Sequence, residues 1–386
     1  MIYLDHAATT PCDPRVIEAM RPYFSEVFGN PSSVHIAGQR AEAAIEDARE
    51  VVATVLGCQP AEVVFTSCGT ESDNLALRGA AMARRLSSGA TRIVTARVEH
   101  PAVITTVEQL VEYYGFEVGW LEVDFAGRVS PESASRLIDE KTAVVSVMYA
   151  NNEIGTINTL REIAAICGRR GVPFHTDAVQ AAAYLPVRVD DQGVDLLSLG
   201  GHKLHAPKGV GALYVRKGTE LVPSMTGGGQ ESGLRPGTPN VPYIVGFATA
   251  LRLADAEREQ RVAHVKPLRD QVIGTVLEVI ADSRLTGSAD LRLPNHASFA
   301  FQRVDGNLLL TLLDAAGFAC SSGSACKTGN PEPSEVMRAI GLQRDWGLGS
   351  LRVTLGKDTT PAEVSSFLDV LPGLVERARE LSRLAA

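Results

Sequence analysis

A lysine stands among glycines and histidines directly after an apolar run. The run 194–199 leads into Gly200, Gly201, His202 and Lys203, and another glycine-rich turn follows. An amine that is partly desolvated at the end of a buried strand has a lowered pKa and can form a Schiff base with a carbonyl compound. A solvated loop lysine is the alternative, but the surrounding glycines and histidines favour the reactive interpretation for Lys203.

Polar residues follow four predicted strands, which end near positions 66, 96, 149 and 176. These residues are Thr70, His100, Asn152 and Asp177. Ligands of open α/β sheets bind at the carboxyl ends of the strands, so the four side chains are expected to converge. Each residue alone is typical of a turn, and only their clustering indicates a site.

Two of these segments each allow a functional interpretation and a purely structural one. Asp177 could hold a protonated ring nitrogen, as pyridoxal phosphate (PLP) requires, or it could cap the next helix. The segment 66–74 (TSCGTESDN) has the pattern of a strand, a turn and a helix start. Such a helix N-terminus could bind an anion, or the pattern could be an ordinary capping box.

Cys326 lies in a segment of small residues, glycines and prolines at about 320–334, which predicts a mobile loop. The neighbouring Lys327 favours the thiolate, and the thiolate is the nucleophilic form of cysteine. A tolerated surface cysteine is the alternative, and the loop alone does not decide between the two interpretations.

Composition excludes several classes of protein. Apolar residues make up 45% of the 386 residues and charged residues 21%, which is typical of a globular chain with a sizeable core. The net charge of −8 argues against nucleic acid as the main partner, and no apolar run is long enough to span a membrane. Six cysteines without a CxxC pair argue against a disulfide scaffold or a structural zinc site. With no signal-peptide pattern, we expect a cytoplasmic protein.

Short apolar runs alternate with helical patterns between about residues 16 and 215, for example a helix at 40–56 and a strand at 63–66. This alternation predicts an α/β fold, with a mostly parallel sheet and helices on both faces. The remainder predicts a smaller α+β domain with one long helix at 255–278, interrupted by Pro267. We expect a large domain at 13–254 and a small domain formed by 1–12 and 255–386, which carries the cysteine loop.

The chain resembles the cysteine desulfurases of the NifS/IscS type along nearly its whole length. The resemblance rests on ordered motifs: 3–10 (YLDHAATT), 28–33 (FGNPSS), 66–74, 99–100 (EH), 151–153 (NNE), 176–180 (TDAVQ), 201–203 (GHK), 235–238 (RPGT), 321–326 (SSGSAC) and 350–352 (SLR). It implies the aspartate-aminotransferase-like fold of PLP-dependent enzymes and the conversion of L-cysteine into L-alanine.

The resemblance also implies roles around the cofactor. Lys203 would hold PLP as a Schiff base and later transfer protons, and His100 would stack on the cofactor ring and act as acid or base. Asp177 would pair with the ring nitrogen, and Gln180 with the ring hydroxyl. The phosphate would be bound by Gly69, Thr70, His202 and, from a second subunit, Thr238. The last contact implies a homodimer.

For the substrate, the resemblance implies that Asn152 and Arg352 bind the carboxylate, with help from Asn30. Cys326 would attack the substrate sulfur, giving an enzyme persulfide and alanine, and would pass the sulfur to an acceptor such as an iron–sulfur scaffold protein. Cys326 is also a candidate ligand of a transient iron–sulfur cluster. Gly200 departs from the family pattern, since many members have there a serine that contacts the phosphate.

Two alternatives from other classes remain open. One is a PLP enzyme of the same fold with other chemistry, such as a selenocysteine lyase or an aminotransferase; an aminotransferase needs no thiol, so Cys326 argues against it. The other is a non-catalytic interaction protein with a degenerate site. The presence of Lys203, Asp177, His100 and Cys326 argues against that interpretation.

Overall fold

The computed structural model describes residues 1–322 and 332–385. Short strands are found along this part of the chain. In chain order they are β1 Ile2–Tyr3, β2 Val63–Thr66, β3 Arg92–Ala96, β4 Glu117–Leu121, β5 Thr142–Ser146, β6 Phe174–Asp177, β7 Leu196–Gly200, β8 Gly211–Val215, β9 Ser283–Leu285, β10 His296–Phe301, β11 Phe318–Ala319 and β12 Ser350–Thr354.

Helices separate most of these strands. They are α1 Pro14–Met20, α2 Pro22–Ser25, α3 Ile36–Leu56, α4 Gly69–Ser88, α5 Pro101–Tyr114, α6 Pro131–Leu137, α7 Leu160–Arg170, α8 Val189–Gln192, α9 Val241–Ala256, α10 Arg258–Val279, α11 Gly306–Ala315, α12 Glu335–Ala339, α13 Arg344–Gly347 and α14 Pro361–Ala385. Helix α3 ends where predicted, because Gly57 adopts the left-handed conformation with φ +71° and stops the helix.

The central sheet has the strand order β2-β8-β7-β6-β5-β3-β4. Strand β8 is antiparallel to both of its neighbours, and the other adjacent pairs are parallel. The predicted mostly parallel α/β sheet is therefore confirmed. Strands β2, β3, β5, β6 and β7 all point the same way, so their carboxyl ends lie at one edge of the sheet.

The sheet has an apolar core on each face. Val64 packs with residues of α4 and α5 on one side, whereas its neighbours Val63 and Phe65 belong to the core on the other side. There Phe65 meets Phe247 of α9 edge-on, with the ring centroids 6.4 Å apart. This alternation follows from the two-residue period of a strand and confirms helices on both faces.

A smaller region contains the antiparallel sheet β12-β10-β9 and the two-stranded parallel pair β1-β11. The first residues also contact the large sheet region, since the backbone N–H groups of Thr10 and Asp13 donate to the carbonyls of His202 and His205. The amino-terminal segment thus bridges the two regions. The division into domains at 13–254 and at 1–12 plus 255–386 stays a prediction.

One predicted helix had the wrong bounds, and the interruption predicted at Pro267 is not found. The expected helix at 255–278 is instead the C-terminal end of α9 followed by α10, and α10 runs through Pro267 without interruption. Proline removes one backbone hydrogen bond, but α10 packs against α14 and β10, and this packing offsets the loss. Among the described residues, no helix is both long and apolar enough to cross a membrane.

Candidate active site

A cavity of about 280 Å³ lies at the carboxyl ends of the parallel strands. Nine of the residues predicted from the sequence line it: Gly69, Thr70, His100, Asn152, Asp177, Gln180, His202, Lys203 and Arg352. The remaining lining residues are Ala7, Ala8, Cys68, Asp73, Met148 and Val179. The structure therefore brings together residues from nearly the whole chain, from Ala7 to Arg352.

A larger cleft, of about 470 Å³, lies between the C-terminal end of α4 and the turn after β8. Arg84 and Ser87 line one side of it, and residues 216–220 line the other. None of the residues predicted to carry chemistry lies in this cleft. The smaller cavity is therefore the candidate active site, because convergent polar groups, rather than size, define such a site.

Lys203 ends the short 3₁₀ turn Gly201–Lys203 that follows β7. Its Nζ donates hydrogen bonds to the backbone carbonyls of Ala7 and Ala8, at 2.7 Å for Ala8. Burial and the Arg352 charge together lower the pKa of Lys203 to about 8, although the carboxylates of Asp5 and Asp177 oppose both effects. At this pKa roughly a tenth of the amine is unprotonated at pH 7, far more than at its ordinary value of 10.5, and the unprotonated amine is the form that attacks a carbonyl carbon.

Asp177 ends β6 and is buried. Its Oδ1 accepts a hydrogen bond from the backbone N–H of Val179 at 2.8 Å, and a turn follows it, so Asp177 does not cap a helix. Burial raises the pKa of Asp177, while the neighbouring His100 and Lys203 lower it. A buried carboxyl group that faces a cavity beside a nucleophilic amine is suited to hold a proton on a ligand nitrogen.

His100 is the N-cap of α5, and its Nδ1 accepts the N–H of Ala102 at 3.1 Å. The proton of the neutral imidazole is therefore on Nε2. Burial lowers the pKa of His100, Asp177 opposes this, and Lys203 lowers the pKa further. The ring is neutral near pH 7, and the proton on Nε2 is the one that it can donate.

The N-terminus of α4 borders the cavity at Gly69 and Thr70. The capping contacts are also present: Glu71 N–H donates to Cys68 Sγ at 3.4 Å, and the Glu71 carboxylate accepts from Ser67 N–H at 2.6 Å. A capped helix and an anion-binding helix end are therefore compatible here. A side chain at Gly69 would put Cβ 2.7 Å from Val179 Cγ2, so this close approach requires glycine.

Two more predicted cofactor residues contact the amino-terminal segment. His202 Nδ1 lies 3.2 Å from Thr9 Oγ1, and burial lowers the pKa of His202 to about 4. The Gln180 amide donates to the Ala7 carbonyl at 2.9 Å. The carbonyl of Ala7 thus accepts from both Gln180 and Lys203. The sequence analysis assigned no role to Ala7 or Ala8, although they lie within one of the motifs of the resemblance.

Arg352 on β12 is 7% exposed and lies at the side of the cavity formed by the smaller region. Its Nη2 donates to Asp5 Oδ1 at 2.8 Å, and its Nη1 donates to the backbone carbonyl of Asn152 at 3.0 Å. Ser321 Oγ donates to the other oxygen of Asp5 at 2.6 Å. Nearby, Ser334 Oγ donates to Glu153 Oε2 at 2.5 Å. We call these five residues the rim: Asp5, Glu153, Ser321, Ser334 and Arg352.

A second cluster of titratable residues lies in and next to the cavity lining on the large-sheet region, and we call it the floor. It consists of Asp73, Glu99, His100, His175 and Asp177. Glu99 Oε1 accepts the N–H of Met148 at 2.6 Å, and burial raises the pKa of Glu99 to about 8. Burial lowers the pKa of His175 to about 3. Asp73 and Glu99 stand within motifs that the sequence analysis quoted, but their burial was not predictable from the motifs.

The other predicted site residues lie outside the cavity lining. Asn30 and Thr238 are exposed. Gly200 ends β7 behind the lining, and a Cβ there would approach Val179 Cγ1 at 3.2 Å, so the valine occupies the space where a larger side chain would extend. Cys326 and Lys327 lie outside the described residues. Among the described cysteines, Cys68 lines the cavity, and burial raises the pKa of Cys320.

The chemical groups that line the cavity are those that PLP needs. The cofactor's aldehyde requires an amine, its ring nitrogen a buried carboxyl group, and its phosphate a helix N-terminus. Lys203, Asp177 and the Gly69–Thr70 end of α4 supply these three groups around one cavity.

Comparison with known proteins identifies the family. The aminotransferase class-V model matches residues 2–367. The cysteine desulfurase IscS of Dictyoglomus turgidum is 45% identical over 381 residues, covering 99% of this chain and 96% of that protein. A solved NifS-like protein superposes with a TM-score of 0.90 at 37% identity, covering 97% of this chain and 99% of the other.

A structure described as SspA in complex with cysteine has a TM-score of 0.80 at 35% identity, covering 93% of this chain and all of that chain (100%). The chain therefore belongs to the class-V aminotransferase family and, within it, to the cysteine desulfurases of the IscS/NifS type. Membership in this family implies PLP as the cofactor.

Proposed function

We propose that this cysteine desulfurase binds PLP on Lys203, converts L-cysteine into L-alanine, and transfers the sulfur to Cys326. The observation that carries the proposal is the convergence of Lys203, Asp177 and Arg352 on one cavity, with the pKa of Lys203 lowered to about 8. An amine, an acid for a ring nitrogen and a guanidinium for a carboxylate are the groups that an amino acid and this cofactor need.

Bound PLP supplies an electron sink that makes the bonds of the substrate's α-carbon and β-carbon labile. The chain's own residues then control protons. Asp177 holds the proton on the ring nitrogen, His100 holds a proton on Nε2 that it can donate, and Lys203 Nζ moves a proton at the substrate's α-carbon. The lowered pKa of Lys203 suits this role, because a proton carrier works best when its pKa is near the working pH.

Arg352 binds the carboxylate of L-cysteine, and Asn152 and Asn30 assist. The guanidinium of Arg352 pairs with Asp5 at 2.8 Å, so the carboxylate of the substrate competes with the carboxylate of Asp5. Gly69, Thr70 and His202 bind the phosphate, and Gln180 binds the ring hydroxyl. The neutral state of His202, whose pKa burial lowers to about 4, means that it contributes a hydrogen bond rather than a charge.

Cys326 receives the sulfur. Its thiolate attacks the sulfur of bound cysteine, the carbon–sulfur bond breaks, and a sulfur–sulfur bond forms. The electron pair of the broken bond stays with the substrate's β-carbon, and protonation of that carbon gives alanine. The resulting persulfide passes its terminal sulfur to a thiol-bearing acceptor, such as an iron–sulfur scaffold protein, and Cys326 transiently ligates the assembling cluster.

The functional unit is a homodimer in which Thr238 binds the phosphate in the neighbouring subunit. Thr238 is exposed within the single chain. Apolar side chains near the amino terminus are exposed as well, with Phe28 at 75% and Val34 at 90%. Exposed apolar groups of this size indicate a surface that is covered in the assembled protein.

An assay of the products tests the proposal. The protein is incubated with L-cysteine, and alanine, sulfide and keto acid are measured separately, with and without a thiol reductant. We expect alanine in equal amount to transferred sulfur and no keto acid. Keto acid in place of alanine would indicate an aminotransferase, and turnover with L-selenocysteine but not L-cysteine would indicate a selenocysteine lyase.

A further inference from the structure

Asp73 is a buried carboxyl group that the proposed reaction does not use. It lies in α4, is 1% exposed, and lines the cavity beside Asp177. Its Oδ1 has no hydrogen-bond partner among the described residues, and His175 Nε2 lies 3.5 Å away. A buried carboxylate without a strong partner is costly, so the group needs a physical explanation.

Asp73 is also close to a second acid. Asp73, Asp177 and His100 each offer a side-chain atom, and these atoms lie within 4.8 Å of one another. Two buried carboxyl groups at such a separation cannot both be ionised without a strong penalty. The pair therefore favours a state with one proton and one negative charge.

The surrounding charges do not change this conclusion. Lys203, which lines the same cavity, lowers the pKa of Asp177 and so favours the negative charge on that residue. The titratable groups that face Asp73 are Asp177 and His175 on β6, Glu99 and His100 after β3, and Cys68 before α4. Burial keeps His175 and His100 neutral by lowering the pKa of each, and it raises the pKa of Glu99. Burial and the Asp177 charge raise the pKa of Asp73 well above its usual range.

Three strands hold the partners of Asp73 in place. Ser146 Oγ lies 2.9 Å from His175 Nδ1, and Ser198 Oγ lies 2.9 Å from His175 Nε2. In the sheet, Ser146 pairs with His175 and Ser198 pairs with Asp177. The hydroxyl of Ser198 and the imidazole of His175 therefore form a fixed polar wall behind the two acids, to which a protonated Asp73 can donate.

We propose that Asp73 is a positioning residue that carries a proton, so that the single negative charge of the Asp73–Asp177 pair lies on Asp177 when the cofactor's ring nitrogen is bound. One negative charge then faces one protonated ring nitrogen. An ionised Asp73 would instead drive the proton onto Asp177 and remove the charge from the group that faces the ring. The inference rests on the proposed function for the identity of the ring, but a shared proton does not require the cofactor.

Infrared difference spectroscopy of the PLP-loaded protein tests where the proton lies. A protonated carboxyl group has a C=O stretch separate from that of a carboxylate, and the band shifts in D₂O. We expect Asp73→Asn to remove one such band and Asp177→Asn to keep it, while any band from Glu99 stays in both. Loss of the band only in Asp177→Asn, or no change in either variant, would overturn the proposal.

Affinity for PLP gives a second measurement. Asparagine at position 73 imitates the neutral acid, so Asp73→Asn should weaken PLP binding to the apoprotein by less than about threefold, whereas Asp177→Asn should weaken it at least about tenfold. Equal weakening in the two variants would mean that the site uses the charge of Asp73, and the proposal would be wrong. If Asp73→Asn does not fold, Asp73→Ser replaces it in both measurements.

The two proposals fail in different ways. If the wild-type protein bound no PLP, the proposed function would be wrong, yet the infrared band of the apoprotein would still report whether the pair holds a proton. If PLP bound and the band belonged to Asp177, only the assignment of the proton to Asp73 would be wrong.

Discussion

The floor and the rim of the cavity both contain carboxyl groups, but they neutralise them differently. On the floor, Asp73 and Asp177 lie close together, and none of the described arginines pairs with either of them, so a shared proton limits their charge. On the rim, Asp5 contacts the guanidinium of Arg352 and the hydroxyl of Ser321. The floor is thus suited to hold protons on a cofactor. The rim is suited to substrate binding, because the carboxylate of the substrate can replace that of Asp5 on Arg352.

The two regions also differ in how the chain builds them. The floor residues all come from the central-sheet region: they lie within its strands and helices or directly after a strand. The rim joins residues from opposite ends of the sequence, since Asp5 and Arg352 are 347 positions apart. Changes on the floor should therefore act on the chemical step, and changes on the rim on substrate binding.

The largest effect is expected from Lys203→Ala, next to the floor. Loss of the amine removes both cofactor attachment and proton transfer, so alanine formation should fall at least about 10,000-fold even with excess PLP. The absorbance of protein-bound PLP and the release of alanine measure the two losses. Lys208, an exposed lysine of the same glycine-rich segment, offers the matched control Lys208→Ala, which should keep normal turnover. Near-normal alanine release from Lys203→Ala would contradict the assignment.

The next largest effect concerns Cys326, which lies outside the described residues, between the rim serines Ser321 and Ser334 in the sequence. Cys326→Ser should bind PLP and L-cysteine normally, because those steps depend on Lys203, Asp177 and Arg352. Sulfur transfer should fall at least about 1,000-fold, since a hydroxyl stays protonated near neutral pH and is a far weaker nucleophile than a thiolate.

Mass spectrometry of the protein after exposure to cysteine measures this effect. We expect a persulfide on Cys326 in the wild type and none in Cys326→Ser. Cys58→Ser is the control, because Cys58 lies at the end of α3, away from the cavity. A persulfide on Cys68 or Cys320, with full activity of Cys326→Ser, would identify another acceptor thiol.

The contrast between floor and rim also explains what could be predicted from the sequence. The strand ends predicted near 66, 96, 149 and 176 are followed by Thr70, His100, Asn152 and Asp177, and because parallel strands share one edge, their convergence followed from the α/β pattern alone. The Asp5–Arg352 pair had no such pattern, since no local rule relates residues 347 positions apart. The resemblance included both motifs but not their contact.

Helix α9 shows another limit of sequence patterns. Its buried positions include Ile244, Phe247 and Leu251 on one side and Gly246 and Ala250 on another, so no clear polar face marks the helical period. The neighbouring α10 was predicted to break at Pro267, but packing decided otherwise. Asn30 and Thr238 are exposed within a single chain, so their predicted roles depend on a second subunit and stay predictions.

A moderate effect is expected when Asp5 is replaced on the rim. Asp5→Asn keeps the size of the side chain but removes the negative charge that competes for Arg352. We expect the KM for L-cysteine to fall about twofold to tenfold with little change in kcat, as for one partly buried ion pair. Steady-state kinetics measure the split, and Arg352→Lys should raise the KM instead. A large rise in KM for Asp5→Asn would mean that Asp5 orients Arg352 rather than competing for it.

The smallest effect is expected from Glu153, the second carboxyl group of the rim. Burial raises the pKa of Glu153 to about 7 in the folded protein, while the Ser334 hydroxyl and Arg352 oppose the shift. Between pH 4.5, its ordinary value, and about pH 7, the folded state therefore binds more protons than the unfolded state, and stability from this group is lost as the pH rises.

Glu153→Gln removes this titration and keeps an oxygen for Ser334. The wild type alone loses stability from this group as the pH rises, so the free energy of unfolding of the variant should increase relative to that of the wild type by roughly 2–3 kcal/mol between pH 5 and pH 8. Urea unfolding of both proteins at the two pH values measures the change, with Glu335→Gln as a control at an exposed ion pair with Arg97. Parallel stability profiles would show that Glu153 is ionised throughout, and the rim would then carry two negative charges beside Arg352 rather than one.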